Sequence, residues 1–205
     1  GGEPGDTSTE EWDGTNWSGG GNLNTGRQGL GTAGIQTAAL GFGGGDPGGN
    51  KFAQNESYNG SAWTEITDLN TARAFIGGVG TSTAALGFGG QAAPGASALT
   101  ELWNGSSWTE INNLNTSRLN MGNAGTSTAA LSIGGDTGSV VAITEDWNGT
   151  SWVEVADLST ASRAMASGGT TTAAFNAGGF SNPGGVLNAT EEWSGSSILT
   201  KVLSD

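Results

Sequence analysis

Thr100-Glu-Leu-Trp-Asn-Gly-Ser-Ser-Trp-Thr-Glu-Ile111 decides the fold, because its centre occurs five times in the chain. The copies are Trp12-Asp-Gly-Thr-Asn-Trp17, Tyr58-Asn-Gly-Ser-Ala-Trp63, Trp103-Asn-Gly-Ser-Ser-Trp108, Trp147-Asn-Gly-Thr-Ser-Trp152 and Trp193-Ser-Gly-Ser-Ser-Ile198. Their second large residues, Trp17, Trp63, Trp108, Trp152 and Ile198, lie 46, 45, 44 and 46 residues apart. A fixed period of this size marks a repeat architecture. Each copy is one supersecondary unit that cannot bury its apolar face without a neighbour.

Each repeat reads as two hairpins. In the first, Asp13-Gly14, Asn59-Gly60, Asn104-Gly105 and Asn148-Gly149 stand between short β-prone runs, with Ser194-Gly195 a weaker version. Such a step favours a tight primed turn, whose two central residues both need positive φ. The second hairpin starts near Arg27, Arg73, Arg118 and Arg163 and turns through 34–37, 80–83, 125–128 and 169–172. It ends on Ala38-Ala-Leu-Gly-Phe-Gly-Gly44, on Ala84-Ala-Leu-Gly-Phe-Gly-Gly90, and on related runs at 129–135 and 173–179. Small residues beside one or two large ones suit strands crowded near a central axis.

A glycine pair closing an apolar strand, with an aromatic pair on the next two strands, resembles the kelch repeat, also found in the central domain of galactose oxidase-like enzymes. The matching residues are Gly43-Gly44, Gly89-Gly90, Gly134-Gly135 and Gly178-Gly179, then Tyr58, Trp103, Trp147 and Trp193, then Trp63, Trp108 and Trp152. The aromatic spacing is shorter than in the usual kelch pattern. The resemblance implies an all-β propeller with one four-stranded antiparallel blade per repeat. A looser similarity, resting on Thr-Glu-x-Trp-Asn-Gly-x-x-Trp and Leu-Asn-Thr-x-Arg, points to kelch-like repeats in tail-associated proteins of marine bacteriophages.

The expected organisation is a single domain, 1–205, with four complete blades at about 27–66, 73–111, 118–155 and 163–203. Residues 1–20, starting at Gly1-Gly2, read as the outer half of a further blade. A five-bladed ring closed on a half blade and a ring completed by another chain or segment both remain open. The chain begins with Gly1 and not Met, and reads as a trimmed or excised part of something longer. An open sheet edge invites strand addition.

Composition narrows the function. With 39 glycines in 205 residues the chain looks disorder-prone, but aromatic anchors in register argue for a packed fold. There is no cysteine and no histidine, so thiol chemistry and the commonest general base and transition-metal ligand are missing. Copper chemistry of the galactose oxidase type needs both residues, so the expectation is a protein that is not an enzyme and has no cofactor. A net charge of −13 disfavours nucleic acid and anionic membrane as partners. No apolar run approaches the ~20 residues of a membrane helix.

Two readings stand for the aromatics Trp12, Trp17, Tyr58, Trp63, Trp103, Trp108, Trp147, Trp152 and Trp193: a sugar-stacking platform, or blade-to-blade packing. Their fixed repeat positions, and the aliphatic Ile198 at the last one, favour packing. Arg27, Arg73, Arg118 and Arg163 repeat, as do the acids Glu10, Glu56, Glu101, Glu145 and Glu191 two residues before each first aromatic. An anion-binding ring is one reading. A repeated Arg–Glu bridge within the scaffold is the favoured one. Glu65, Glu110 and Glu154 read as solvated strand positions. Asp6, Asp46 and Asp136 sit in glycine-rich loops but match no calcium-loop spacing, so no metal site is expected.

The segments after the glycine pairs (45–54, 91–98, 136–142 and 180–187) differ from copy to copy. They are the candidate binding loops, with Asn50, Lys51, Phe52, Gln91, Asp136, Phe180 and Asn182 as candidate contacts. The leading expectation is an extracellular or virion-surface adhesion module for a glycan or protein. The alternative is an assembly scaffold that docks, as a homo-oligomer or in a larger assembly, through an open propeller edge.

Overall fold

The structure is a computed structural model describing residues 5–195 and the backbone of 198–202, so Gly1-Gly2 and the Ile198 side chain lie outside the described part. Among the described residues every regular element is a strand. β1 (Glu10–Trp12) and β2 (Trp17–Gly19) form a hairpin. The first four-stranded antiparallel sheet is β3 (Gly31–Ile35), β4 (Ala38–Phe42), β5 (Asn55–Tyr58) and β6 (Trp63–Ile66). The second is β7 (Gly77–Thr81), β8 (Ala84–Phe88), β9 (Thr100–Trp103) and β10 (Trp108–Ile111). The third is β11 (Gly122–Gly125), β12 (Ala130–Asp136), β13 (Val140–Trp147) and β14 (Trp152–Glu154). In the fourth, β15 (Ala166–Gly169) and β16 (Ala174–Ala177) lead into a small hairpin, β17 (Phe180–Ser181) and β18 (Gly185–Val186), before β19 (Ala189–Trp193) and β20 (Ile198–Val202) complete the sheet. These sheets are the four blades, I to IV, of a β-propeller.

The innermost strands face one another around the axis: β3 packs on β7, β7 on β11 and β11 on β15. They line a central channel of about 310 Å³ through Thr32, Gly78, Asn123 and Ser167. Crowding explains the small residues there, since a Cβ at Gly78 would lie 2.7 Å from the Thr32 nitrogen. Polar ties cross between blades: Asn123 Nδ2 donates to the Gly78 carbonyl at 2.9 Å, and the Asn123 N–H to Ser167 Oγ at 2.7 Å. A second link runs through the backbone alone. Ala164 donates to Asn120, Asn120 to Phe75 and Phe75 to Gly29, and all four residues have positive φ. Three of them are not glycine. The strained conformation is held because it places one N–H and one C=O where adjoining blades meet.

The Asn-Gly connections differ from the expected primed two-residue turn. Tyr58 pairs with Trp63, Trp103 with Trp108 and Trp147 with Trp152, so each connection spans the four residues between. Gly60, Gly105 and Gly149 have positive φ, but the preceding asparagines do not. Instead Asn59 Oδ1 accepts from the Ser61 and Ala62 N–H groups, both at 3.0 Å. Asn104, Asn148 and Asp13 do the same in their own turns. The side chain replaces a backbone acceptor and makes a longer turn stable.

The core lies between blades. Phe42 of blade I sits against Leu69, Ile76 and Trp108 of blade II, its ring 4.8 Å from the Trp108 ring. Phe88 of blade II sits against Leu114, Met121 and Trp152 of blade III, with its ring 4.9 Å from Trp152. The outer aromatics therefore pack, with Trp103, Trp108, Trp147 and Trp152 all buried. Trp152 Nε1 donates to Thr100 Oγ1 of the preceding blade at 3.0 Å. Thr144 holds the same position one blade later, where the repeat has the aliphatic Ile198 in place of a tryptophan and so offers no indole donor; Thr144 Oγ1 is buried without a partner among the described residues. Two substitutions of one kind should therefore differ in sign. Thr100→Val strands the Trp152 N–H and should cost about 1–3 kcal/mol, whereas Thr144→Val should be neutral or stabilising by up to ~1 kcal/mol. Urea unfolding midpoints of the two variants check this.

Candidate binding site

The recurring polar residues of the repeat come together inside the blades. Arg27, Arg73 and Arg118 are each fully buried. Each reaches the glutamate of its own blade, Glu56 at 2.5 Å, Glu101 at 2.8 Å and Glu145 at 2.8 Å. The guanidinium forks also donate to backbone carbonyls: Gly41 for Arg27, Gly89 and Leu99 for Arg73, Gly134 and Ile143 for Arg118. Each glutamate's other oxygen takes the backbone N–H and the side-chain amide of an asparagine, Asn24, Asn70 or Asn115, whose amide also reaches the carbonyl of Trp63, Trp108 or Trp152. This role of the asparagine in Leu-Asn-Thr-x-Arg is not evident from its residue type, although its recurrence with the arginine was visible. Burial alone would raise the Glu56 carboxyl, but the Asn24 N–H and the Arg27 guanidinium hold it below the usual carboxylate range. Burial draws Arg73 and Arg118 below their ordinary pKa, against the pull of their glutamates. These charges are enclosed and matched, so they form a scaffold and not an anion-binding ring.

Two expected members of the series stand apart from it. Arg163 does not occupy the repeat position. Arg118 sends its carbonyl to the Gly90 N–H, and the equivalent bond to Gly135 comes from Ser162, which is buried. Arg163 lies one residue later, on the surface, with its side chain 35% exposed. Glu191 stays buried and accepts from the Ser159 and Thr160 N–H groups. Glu10 is exposed and pairs with no arginine among the described residues. In the three formed pairs the arginine lies 29, 28 and 27 residues before its glutamate. Trp12 and Trp17 also depart from the packing expectation. They pair with each other at 5.5 Å, yet are 45% and 65% exposed.

The candidate contact residues lie along one rim, and the reason is topological. The residue after each glycine pair (Gly45, Gln91, Asp136, Phe180) bridges to the residue after the arginine position (Gln28, Ala74, Leu119, Arg163). A glycine pair is needed at this corner. A Cβ at Gly43 would lie 2.6 Å from the Arg73 carbonyl, and both Gly43 and Gly44 have positive φ. The rim carries two clusters. Asn50, Lys51 and Gln91 line a shallow pocket of about 30 Å³ with Asp46 and Phe75. There Asn50 donates to Asp46 through its N–H at 2.9 Å and its amide at 2.7 Å, and Lys51 Nζ donates to the Gly49 carbonyl at 2.7 Å. In the second cluster Arg163 Nε lies 3.5 Å from Asp136 Oδ2, across the boundary between blades III and IV, and its guanidinium carbon is 5.2 Å from the Phe180 ring centre.

Phe52 and Asn182 join neither cluster. The Phe52 backbone ties its loop to Gly44 and Arg73, and Asn182 is exposed in the β17–β18 turn. The acids weighed as cation ligands are held apart by local bonds: Asp6 by Ser8, Asp46 by Asn50, Asp136 by Gly138 and Arg163. Among the described residues no three acids converge. Glu65, Glu110 and Glu154 are exposed strand residues.

The fold defines a β-propeller with a polar and aromatic rim. No family model and no curated protein matches the chain.

Proposed function

We propose that this chain is a kelch-like propeller acting as a non-enzymatic binding module, which adheres to a glycan or protein through the loop rim at an extracellular or virion surface. One observation carries the reading. Three arginines are enclosed in the scaffold, while Arg163 has slipped one position onto the rim between Asp136 and Phe180. A half-exposed guanidinium beside an aromatic face and a carboxylate is a donor set suited to hydroxyl-rich or acidic ligands. The neighbouring loops supply amide and ammonium donors from Asn50, Lys51 and Gln91.

The test is a glycan array, run beside a screen of surface proteins, with wild type, Arg163→Ala and a variant whose segments 45–54 and 180–187 are replaced by glycine and serine. The expected result is binding by the wild type that falls at least about tenfold in Arg163→Ala, with an unchanged unfolding midpoint. Ligands held equally by the loop-replaced variant would overturn the reading.

A further inference from the structure

Blade IV keeps the buried glutamate of the repeat but not its arginine. Glu191 is 6% exposed, and among the described residues it meets no arginine or lysine. Ser162, at the arginine position, is buried, while Arg163 turns to Asp136 and Phe180 on the rim. The Ser159 and Thr160 N–H groups that Glu191 accepts do not replace the missing charge. Glu145 accepts the equivalent groups of Asn115 and Thr116 and holds Arg118 as well. A carboxylate enclosed in this way needs a positive charge beside it.

The neighbouring positions add oxygen where the other blades have none. Asn176 pairs with Glu191 across the ladder of β16 and β19, so the two side chains share one face of the sheet. Gly41 and Gly87 pair with Glu56 and Glu101 in the same way, and present no side chain there. Asn176 is 6% exposed, and its Oδ1 is buried without a partner among the described residues. Asn176 and Glu191 line one cavity of about 10 Å³ at the boundary between blades III and IV, with Ile133, Leu158 and Trp193 as apolar walls. The carbonyls in the register of those that Arg73 and Arg118 reach are Gly178, for Gly89 and Gly134, and Ala189, for Leu99 and Ile143.

We infer that blade IV holds a monovalent cation in place of the arginine, bound by the Glu191 carboxylate and Asn176 Oδ1. The site specifies its ligand. One carboxylate balances one positive charge, and among the described residues no three acids converge as a divalent ion would require. The cavity admits a group of about the size of water. Potassium and ammonium meet both conditions. Guanidinium does not, because the Asn176 side chain takes space that glycine leaves open in blades I and II. The site is separate from the rim proposed above, but Ser162 and Arg163 are adjacent, so the two share a backbone segment.

The test unfolds the full chain by heat in potassium, ammonium and tetramethylammonium chlorides of equal ionic strength, which separates specific binding from screening. Potassium or ammonium at about 0.1 M should raise the thermal midpoint by roughly 2–4 °C over tetramethylammonium, which is too large for the cavity. Glu191→Gln keeps an acceptor for the N–H groups, removes the charge, and should erase that difference. The double variant Ser162→Arg, Asn176→Gly restores the residues of blades I and II. It should erase the difference too, with a midpoint above that of the wild type. Equal wild-type midpoints in the three salts overturn the inference, because a proton or a water then balances Glu191. A potassium effect undiminished in either folded variant also overturns it, since the ion then binds elsewhere. If one variant fails to fold, the other decides.

Discussion

Arg118→Ala is expected to destabilise the protein by about 3–5 kcal/mol, while Arg163→Ala changes stability by less than about 1 kcal/mol. Both residues begin what reads as the same hairpin, but their surroundings are opposite. The Arg118 side chain and its partner Glu145 are both fully buried, with a contact of 2.8 Å. Removing the guanidinium leaves a carboxylate enclosed without a countercharge and the Gly134 and Ile143 carbonyls without a donor. The carboxylate cannot leave, because it also holds the Asn115 N–H at 2.7 Å and the Thr116 N–H at 3.3 Å. For the same reason the double variant Arg118→Met, Glu145→Leu should recover only part of the loss. It removes the orphaned charge but strands two backbone donors. Arg163, by contrast, meets Asp136 at 3.5 Å on a wetted rim, where ion pairs contribute little. Chemical unfolding of the variants decides the matter. Equal midpoints for Arg118→Ala and Arg163→Ala would mean that the buried pair is not what ties the blade together.

The same contrast shows where the amino-acid pattern is informative and where it is silent. The period of the aromatic motif is enough for a stack of β-repeats, because a strand pair with one apolar face must pack on its neighbour, and the glycine pairs of the kelch-like pattern pointed to a ring. The Arg–Glu bridge was legible for Arg27, Arg73 and Arg118, whose spacing to the glutamate is nearly constant. The slip at Arg163 was legible too, by a finer measure: Leu23, Leu69 and Leu114 stand four residues before their arginines, and four residues after Leu158 comes Ser162. The turn geometry was not legible. Asn-Gly fits a primed turn and also a longer one in which the asparagine side chain accepts two N–H groups, and the register of the flanking strands chooses between them. The exposure of Trp12 and Trp17 was hidden for another reason: their burial depends on a neighbouring blade, and nothing within the motif reports whether that neighbour is there.

Phe88→Ala should cost about 3–5 kcal/mol, and Trp17→Ala less than about 0.5 kcal/mol, although tryptophan is the larger side chain. Phe88 has no exposed surface and fills a seat made by Leu114, Met121 and Trp152, so truncation leaves a cavity that strands paired on both sides cannot collapse to fill. The loss also removes the tilted contact with Trp152, at 4.9 Å and 57°, which contributes about 0.5–1.5 kcal/mol beyond the area buried. Trp17 is 65% exposed and, among the described residues, keeps its contact with Trp12 and the edge of an open cleft. Thermal and urea unfolding of both variants gives the comparison, and a Trp17→Ala loss as large as that of Phe88→Ala would mean that the Trp17 indole is buried in solution.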